Sequence, residues 1–211
     1  MTDAAGGARR EVVVFDLGGV LIDWNPRYLY RQLFPGDDAG MERFLATVCS
    51  PDWNESFDAG RPFRDGIAEL SREHPHEAER IAAYFDRWIE MVRGPIEPTV
   101  RILERLAARG VPLYALTNWS AETFPLVRHD PAYGFFERFR DIVVSGELGL
   151  IKPDAAIFRA LLDRVGRPAE TCLFIDDAPR NVAAAARLGF ATHRFVEPES
   201  LEAELTALGL L

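Results

Sequence analysis

Near the start of the chain, Val12-Val-Val-Phe-Asp16 runs apolar and stops on a carboxylate, and Leu17-Gly-Gly-Val20 follows at once. A short β-branched run reads as a buried strand, and paired glycines behind it mark a sharp turn. In open α/β sheets, ligands sit in the crevice beyond the carboxyl ends of the strands. Asp16 therefore stands on a rigid element where chemistry is expected. The rest of the chain must then supply further parallel strands around it.

From Pro95 onward it does so. Residues 101–109 place Ile102, Leu103 and Leu106 on one helical face and end at Gly110. Strands are expected at 111–116, 141–144, 172–175 and 191–195, with helices at 121–128, 180–188 and 198–208 between or after them. A further helix is expected to open on Pro153 and close at Gly166. Such alternation implies right-handed crossovers and a doubly wound, Rossmann-like parallel sheet of the α/β class.

Residues 23–94 break this rhythm. They are rich in Arg, Glu, Ala, Leu and aromatics, and residues 77–91 carry Ile81, Tyr84, Phe85, Trp88 and Ile89 as an apolar stripe. The expected organisation is an α/β core from residues 1–22 and 95–211, with a small helical cap, 23–94, inserted after the first strand. The cap would hang above the crevice that holds Asp16.

At 211 residues the chain can bury one good core with an appendage. Its 24 basic against 33 acidic residues leave a net charge of −9. That balance argues against nucleic acid or an anionic membrane surface as partner, since both need basic patches. An anionic substrate would have to be drawn in by a metal, a lysine or helix amides. The two cysteines, Cys49 and Cys172, lie far apart, and Cys172 sits in an apolar run. Both fit a reducing compartment. With no apolar stretch near the roughly 20 residues of a membrane span, the expected location is the cytoplasm. Residues 1–10 hold no hydrophobic segment and are read as a frayed tail rather than a signal peptide. His74 and His76, which flank Pro75 in a polar stretch, are read as an exposed loop rather than a metal site.

Four pieces fall at the ends of four expected strands: Asp16, Thr117-Asn118, Lys152 and Asp176-Asp177. A parallel sheet brings those ends together, and the set suits phosphoryl transfer. Asp16 can attack phosphorus once the repulsion between anions is neutralised. Asp176, with or without Asp177, supplies hard oxygen ligands for Mg²⁺ beside Asp16, and the Gly18 carbonyl offers another. Thr117 and Asn118 would hydrogen-bond the phosphate, and Lys152 adds a point charge. Asn181 would hold the acidic loop or face solvent. Trp119, next to Asn118, is either core or a wall of the pocket.

These pieces, quoted in order as Phe-Asp-Leu-Gly-Gly-Val, Leu-Thr-Asn, Ile-Lys-Pro-Asp and Phe-Ile-Asp-Asp, resemble the four motifs of the haloacid dehalogenase (HAD) superfamily. Nearly the whole chain takes part, and the insert is similar to that superfamily's small cap. The resemblance implies Asp16 as nucleophile, Thr117 and Asn118 as phosphate ligands, Lys152 as charge stabiliser and Asp176 as metal ligand. The Asp-Leu-Gly opening is shared with bacterial sugar-phosphate phosphatases similar to glucose-1-phosphatase. The expectation is a Mg²⁺-dependent phosphatase of a small phosphorylated metabolite, such as a sugar phosphate, acting as monomer or homodimer.

One position departs from the pattern. Phosphatases of the superfamily carry a second aspartate two residues after the nucleophile as general acid and base, and here it is Gly18. Asp23, at the expected cap hinge, is the candidate replacement. The alternatives are a metal-independent 2-haloacid dehalogenase, which also lacks that acid, and a non-catalytic phosphate-binding or regulatory protein.

Overall fold

The structure is a computed structural model that describes residues 10–211. The reading of a frayed N-terminal tail falls mostly outside the described residues. In chain order the elements are β1 (Val12–Phe15), β2 (Ile22–Trp24), α1 (Arg27–Leu33), α2 (Asp38–Thr47), α3 (Pro51–Asp58), α4 (Phe63–Glu73), α5 (Ala78–Asp86) and β3 (Val92–Pro95). There follow α6 (Glu97–Ala108), β4 (Leu113–Thr117), α7 (Phe124–Arg128), β5 (Asp141–Val144), α8 (Ser145–Leu148), α9 (Ala155–Val165), β6 (Cys172–Asp176), α10 (Pro179–Arg187), β7 (Ala191–Arg194) and α11 (Pro198–Ala207).

Five strands form one parallel sheet in the order β5-β4-β1-β6-β7, with β1 at its centre. All four residues of β1 are buried, as a strand covered on both faces must be. Its side chains alternate between two apolar layers. Val13 and Phe15 pack into the layer with Leu103 and Leu106 of α6, Leu201 and Leu205 of α11, and Tyr30 and Tyr84 of the insert. Val12 and Val14 face Ile157, Phe158 and Leu161 of α9 and Ala184 and Ala185 of α10. Helices thus cover both faces of the sheet, as the alternation implied.

Register sets the site. Phe15 pairs with Ala115 on one side and Ile175 on the other, so Asp16 and Asp176, each next along its strand, emerge side by side. Gly110, Gly166 and Gly209 have positive φ at or just past the ends of α6, α9 and α11, the left-handed conformation that suits glycine at a helix terminus.

Three details differ from the sequence reading. The chain enters and leaves the helical insert through an antiparallel ribbon, β2 with β3, in which Ile22 pairs with Pro95 and Asp23 with Gly94. The helix expected over 77–91 is α5 alone, followed by a 3₁₀ turn at Trp88–Met91. That tighter winding rotates Ile89 off the buried stripe, and it is 46% exposed. Pro153 does not open α9, whose first residue is Ala155. Asp154 is extended (φ −63, ψ 135), because residues just before it are committed to the site described next.

Candidate active site

Asp16 directly follows β1, and its amide donates to the Ile175 carbonyl at 2.8 Å. The chain then turns tightly: the Leu17 carbonyl accepts from the amides of Leu21 and Ile22 at 2.8 and 2.9 Å. Gly19, at φ +74, is required in this turn, since a Cβ there would stand 2.7 Å from Asp177 Oδ2. Gly18 is different: its φ lies outside the left-handed region, and no heavy atom lies within 4 Å of where a Cβ would be.

Lys152 is fully buried between two carboxylates. Its Nζ lies 3.0 Å from Asp16 Oδ1 and donates to Asp176 Oδ2 at 2.7 Å and to the Leu116 carbonyl at 2.9 Å. Burial alone would lower its pKa, but the charges of Asp16 and Asp176 outweigh it and hold the ammonium above its usual range. Asp16 Oδ1 also accepts from the Leu17 amide at 2.7 Å. Even so, burial pushes the Asp16 pKa up to about 8, against the pull of Lys152 and with added repulsion from Asp176 and Asp177. One lysine does not balance this acidic group.

Asp176 is held rigidly. Its Oδ1 accepts from the Ala178 amide at 2.9 Å, and the buried Asn181 amide donates to both oxygens at 3.1 Å. Asn181 therefore holds the acidic loop and does not face solvent. Asp16, Asp176 and the exposed Asp177 bring one oxygen each to within 4.8 Å of one another. Burial, then Asp176, raises the Asp177 pKa. Three crowded hard oxygen donors with excess negative charge fit a hard divalent cation.

Thr117 ends β4, buried and paired with Val144. The Asn118 side chain reaches Lys152: its Nδ2 donates to the Lys152 carbonyl and its Oδ1 accepts from the Lys152 amide, both at 2.9 Å. Both amide heavy atoms thus hold the lysine loop, while the second N–H of Nδ2 is left over on a side chain that lines the cavity described below. Trp119 is buried, donating from its indole to Thr123 Oγ1 at 3.1 Å and from its amide to Ser145 Oγ at 2.9 Å. Asp23 is turned elsewhere, accepting from the Tyr28 hydroxyl at 2.8 and 3.0 Å.

Beside these groups lies a cavity with about 440 Å³ of empty space, its mouth included. Trp24, Asn54, Asp58, Phe63 and Trp88 line it from the insert, and Gly18, Asn118, Trp119, Ser120 and Thr123 from the sheet side. Mostly apolar walls with a few convergent polar groups are the usual make-up of a small-molecule site. Sequence reading missed Asp58. Its only sequence signal was an acid two residues before Gly60 at a helix end, which a plain terminus also shows.

Residues 11–189 match the family of haloacid dehalogenase-like hydrolases. The chain belongs to that family. Among relatives of the HAD-like hydrolase described here, a sesquiterpene phosphatase of Aspergillus oryzae is 28% identical over 183 residues, covering 85% of this chain and 86% of its own. Two longer relatives are each 26% identical, a drimenol cyclase of Aspergillus calidoustus and the acyl-CoA dehydrogenase family member 10 of Mus musculus. They align with 92% and 97% of this chain, which spans 35% and 20% of their lengths. Among solved structures, a predicted HAD-like family hydrolase from Porphyromonas gingivalis superposes with a TM-score of 0.72 at 26% identity, over 95% of this chain and 98% of that one. A HAD family enzyme from Bacteroides thetaiotaomicron, in complex with magnesium and inorganic phosphate, gives 0.65 at 22% identity, over 87% and 93%. The last shares the fold. No helix among the described residues is long and apolar enough to cross a membrane.

Proposed function

We propose that this HAD-like hydrolase is a Mg²⁺-dependent phosphatase that cleaves a small phosphate monoester through an aspartyl-phosphate on Asp16. The carrying observation is the buried Lys152 set between Asp16 and Asp176 with a third carboxylate alongside. Asp16, Asp176 and Asp177, with the Gly18 carbonyl, would hold the cation, which when bound offsets the charge of both the carboxylates and the phosphate. With Asp16 Oδ1 fixed by Leu17 and Lys152, Oδ2 is the oxygen we assign to attack. It forms a bond to phosphorus as the ester oxygen departs, and water then hydrolyses the acyl phosphate. Lys152 screens the nucleophile from Asp176 and stabilises charge on the transferring group.

Residues 23–94 act as a cap in this reading, since half of the cavity wall comes from them. Aromatic faces at Trp24, Trp88 and Trp119 suit the apolar side of a sugar ring or another compact hydrophobic leaving group. The net charge of −9 and the buried free cysteines support a small-molecule partner and a cytoplasmic location. The naming of a relative as a sesquiterpene phosphatase supports the reaction class.

The test is a screen of phosphate esters with magnesium and with excess chelator, run beside 2-chloropropionate. Ester hydrolysis that chelator abolishes and Asp16→Asn eliminates is the expected result. Chloride release from 2-chloropropionate in chelator would replace this reading with a dehalogenase. Failure to hydrolyse any ester would also overturn it.

A further inference from the structure

The cavity wall facing the nucleophile loop carries a carboxylate that none of the groups above employs. Gly18 leaves open the space where a side chain two residues after Asp16 would stand, and Asp58, at the end of α3, lines the same cavity. We infer that Asp58, delivered from the insert, is the general acid and base of this enzyme, standing in for the side chain that Gly18 lacks. The inference rests on the phosphatase reading.

Asp58 is anchored through its backbone. Its carbonyl accepts from Ser145 Oγ at 2.6 Å, and Ser145 Oγ accepts from the Trp119 amide. The loop behind it approaches the core closely: a Cβ on Gly60 would lie 3.3 Å from the Gly146 carbonyl and 3.6 Å from Gly149 Cα. The carboxyl itself is aimed by a relay. The Tyr84 hydroxyl donates to Asn54 Oδ1 at 2.8 Å, and Asn54 Nδ2 donates to Asp58 Oδ2 at 3.1 Å. The charged groups that face it are Glu55 on its own helix, itself paired with Arg180 at 3.0 Å, and Lys152 from the core; Tyr84 faces it from α5. Burial, then Glu55, pushes the Asp58 pKa up to about 7, against the Ser120 backbone, Lys152 and Asn54. An acid near 7 both gives and takes a proton at neutral pH.

In the first half-reaction the protonated Asp58 gives its proton to the ester oxygen as the P–O bond breaks and the bond to Asp16 forms. In the second, the Asp58 carboxylate takes a proton from the water that attacks phosphorus, Asp16 leaves as carboxylate, and Asp58 is protonated again. Protons and bonds balance over the cycle.

The experiment compares the parent, Asp58→Asn and Asp58→Asn/Gly18→Asp on 4-nitrophenyl phosphate with magnesium. The asparagine keeps the shape and the Asn54 contact. Its steady-state kcat is expected to fall by about 10²–10⁴, while inhibition by inorganic phosphate stays within about threefold of the parent. A burst of nitrophenolate should precede slow turnover, because this leaving group departs without help and the water step does not. Adding the aspartate at position 18 should recover at least about tenfold of the lost rate. An Asp58→Asn enzyme as fast as the parent overturns the inference and leaves the phosphatase reading intact. So does a loss of rate matched by equal loss of phosphate binding. A parent that releases no nitrophenolate overturns both.

Discussion

Asn118 and Lys152 exchange two hydrogen bonds, each 2.9 Å long, between the asparagine side chain and the lysine backbone. The residue just after β4 thereby fixes the loop that carries the buried ammonium to Asp16 and Asp176. Asn118→Ala removes both bonds. Each is worth about 0.5–1.5 kcal/mol net, so urea denaturation should show a destabilisation of about 1–3 kcal/mol. Turnover should fall through kcat, since the lysine loses its fixed position. Asn118→Asp, which keeps the acceptor but sets a carboxylate oxygen against the Lys152 carbonyl, should be no milder than alanine.

Removing the ammonium has a larger effect. Lys152→Met leaves Asp16 and Asp176 buried together without a counter-charge, and breaking such an ion pair costs about 3–5 kcal/mol. Urea midpoints should show the largest loss in alkaline solution. The share that comes from Asp16 should shrink as pH falls through about 8, because its pKa stands there with the lysine present and rises further without it. Below this value the group is protonated in both proteins.

Gly146 is packed against the backbone after β4. A Cβ there would stand 2.5 Å from the Ala121 amide nitrogen and 2.8 Å from the Trp119 carbonyl oxygen. Neither backbone atom can swing aside as a side-chain end would. Gly146→Ala should lower the thermal midpoint, with a cost of about 1–3 kcal/mol. Gly18→Ala, with open space above it, should leave the midpoint unchanged, which makes the pair an internal control.

Asp58 also sets a pH dependence of stability. Its carboxyl titrates near 3.8 unfolded and at about 7 in the folded chain, so the folded state holds a proton that the unfolded state has lost. The resulting stabilisation is complete below the unfolded value and disappears as pH rises through about 7. Thermal midpoints of the parent should therefore fall between pH 4 and 7 more steeply than those of Asp58→Asn. Parallel curves would show that Asp58 titrates normally.

Much of this was legible in the sequence because the relevant signals are local. β-branched runs, buried throughout in Val12–Phe15 and half-buried at the start of Asp141–Val144, and glycines closing α6, α9 and α11, mark a parallel sheet without reference to anything distant. Asp16 and Asp176 stood out for the same reason, each lying at or just beyond a strand end. Lys152 stood out by its Ile-Lys-Pro-Asp pattern, and it is separated from β5 by α8 rather than by the short loop expected. The rest depends on partners far along the chain. The ribbon of β2 and β3 joins Ile22 to Pro95, two short segments whose pairing no periodicity announces. Pro153 looks like a helix opener until Asn118 is seen holding the residue before it. Asp58 acquires its position from Ser145, 87 residues away, and nothing in its neighbourhood separates it from an ordinary helix-end acid.

The ribbon of β2 and β3 gives the insert an entrance and an exit that lie side by side. A segment attached in this way can grow, shrink or be traded for another without shifting the register of the five strands behind it. The wall that the insert gives the cavity can thus change while the carboxylates at the sheet edge keep their places. A proton donor carried on the exchangeable part would tie the timing of chemistry to the shape of what has been let in.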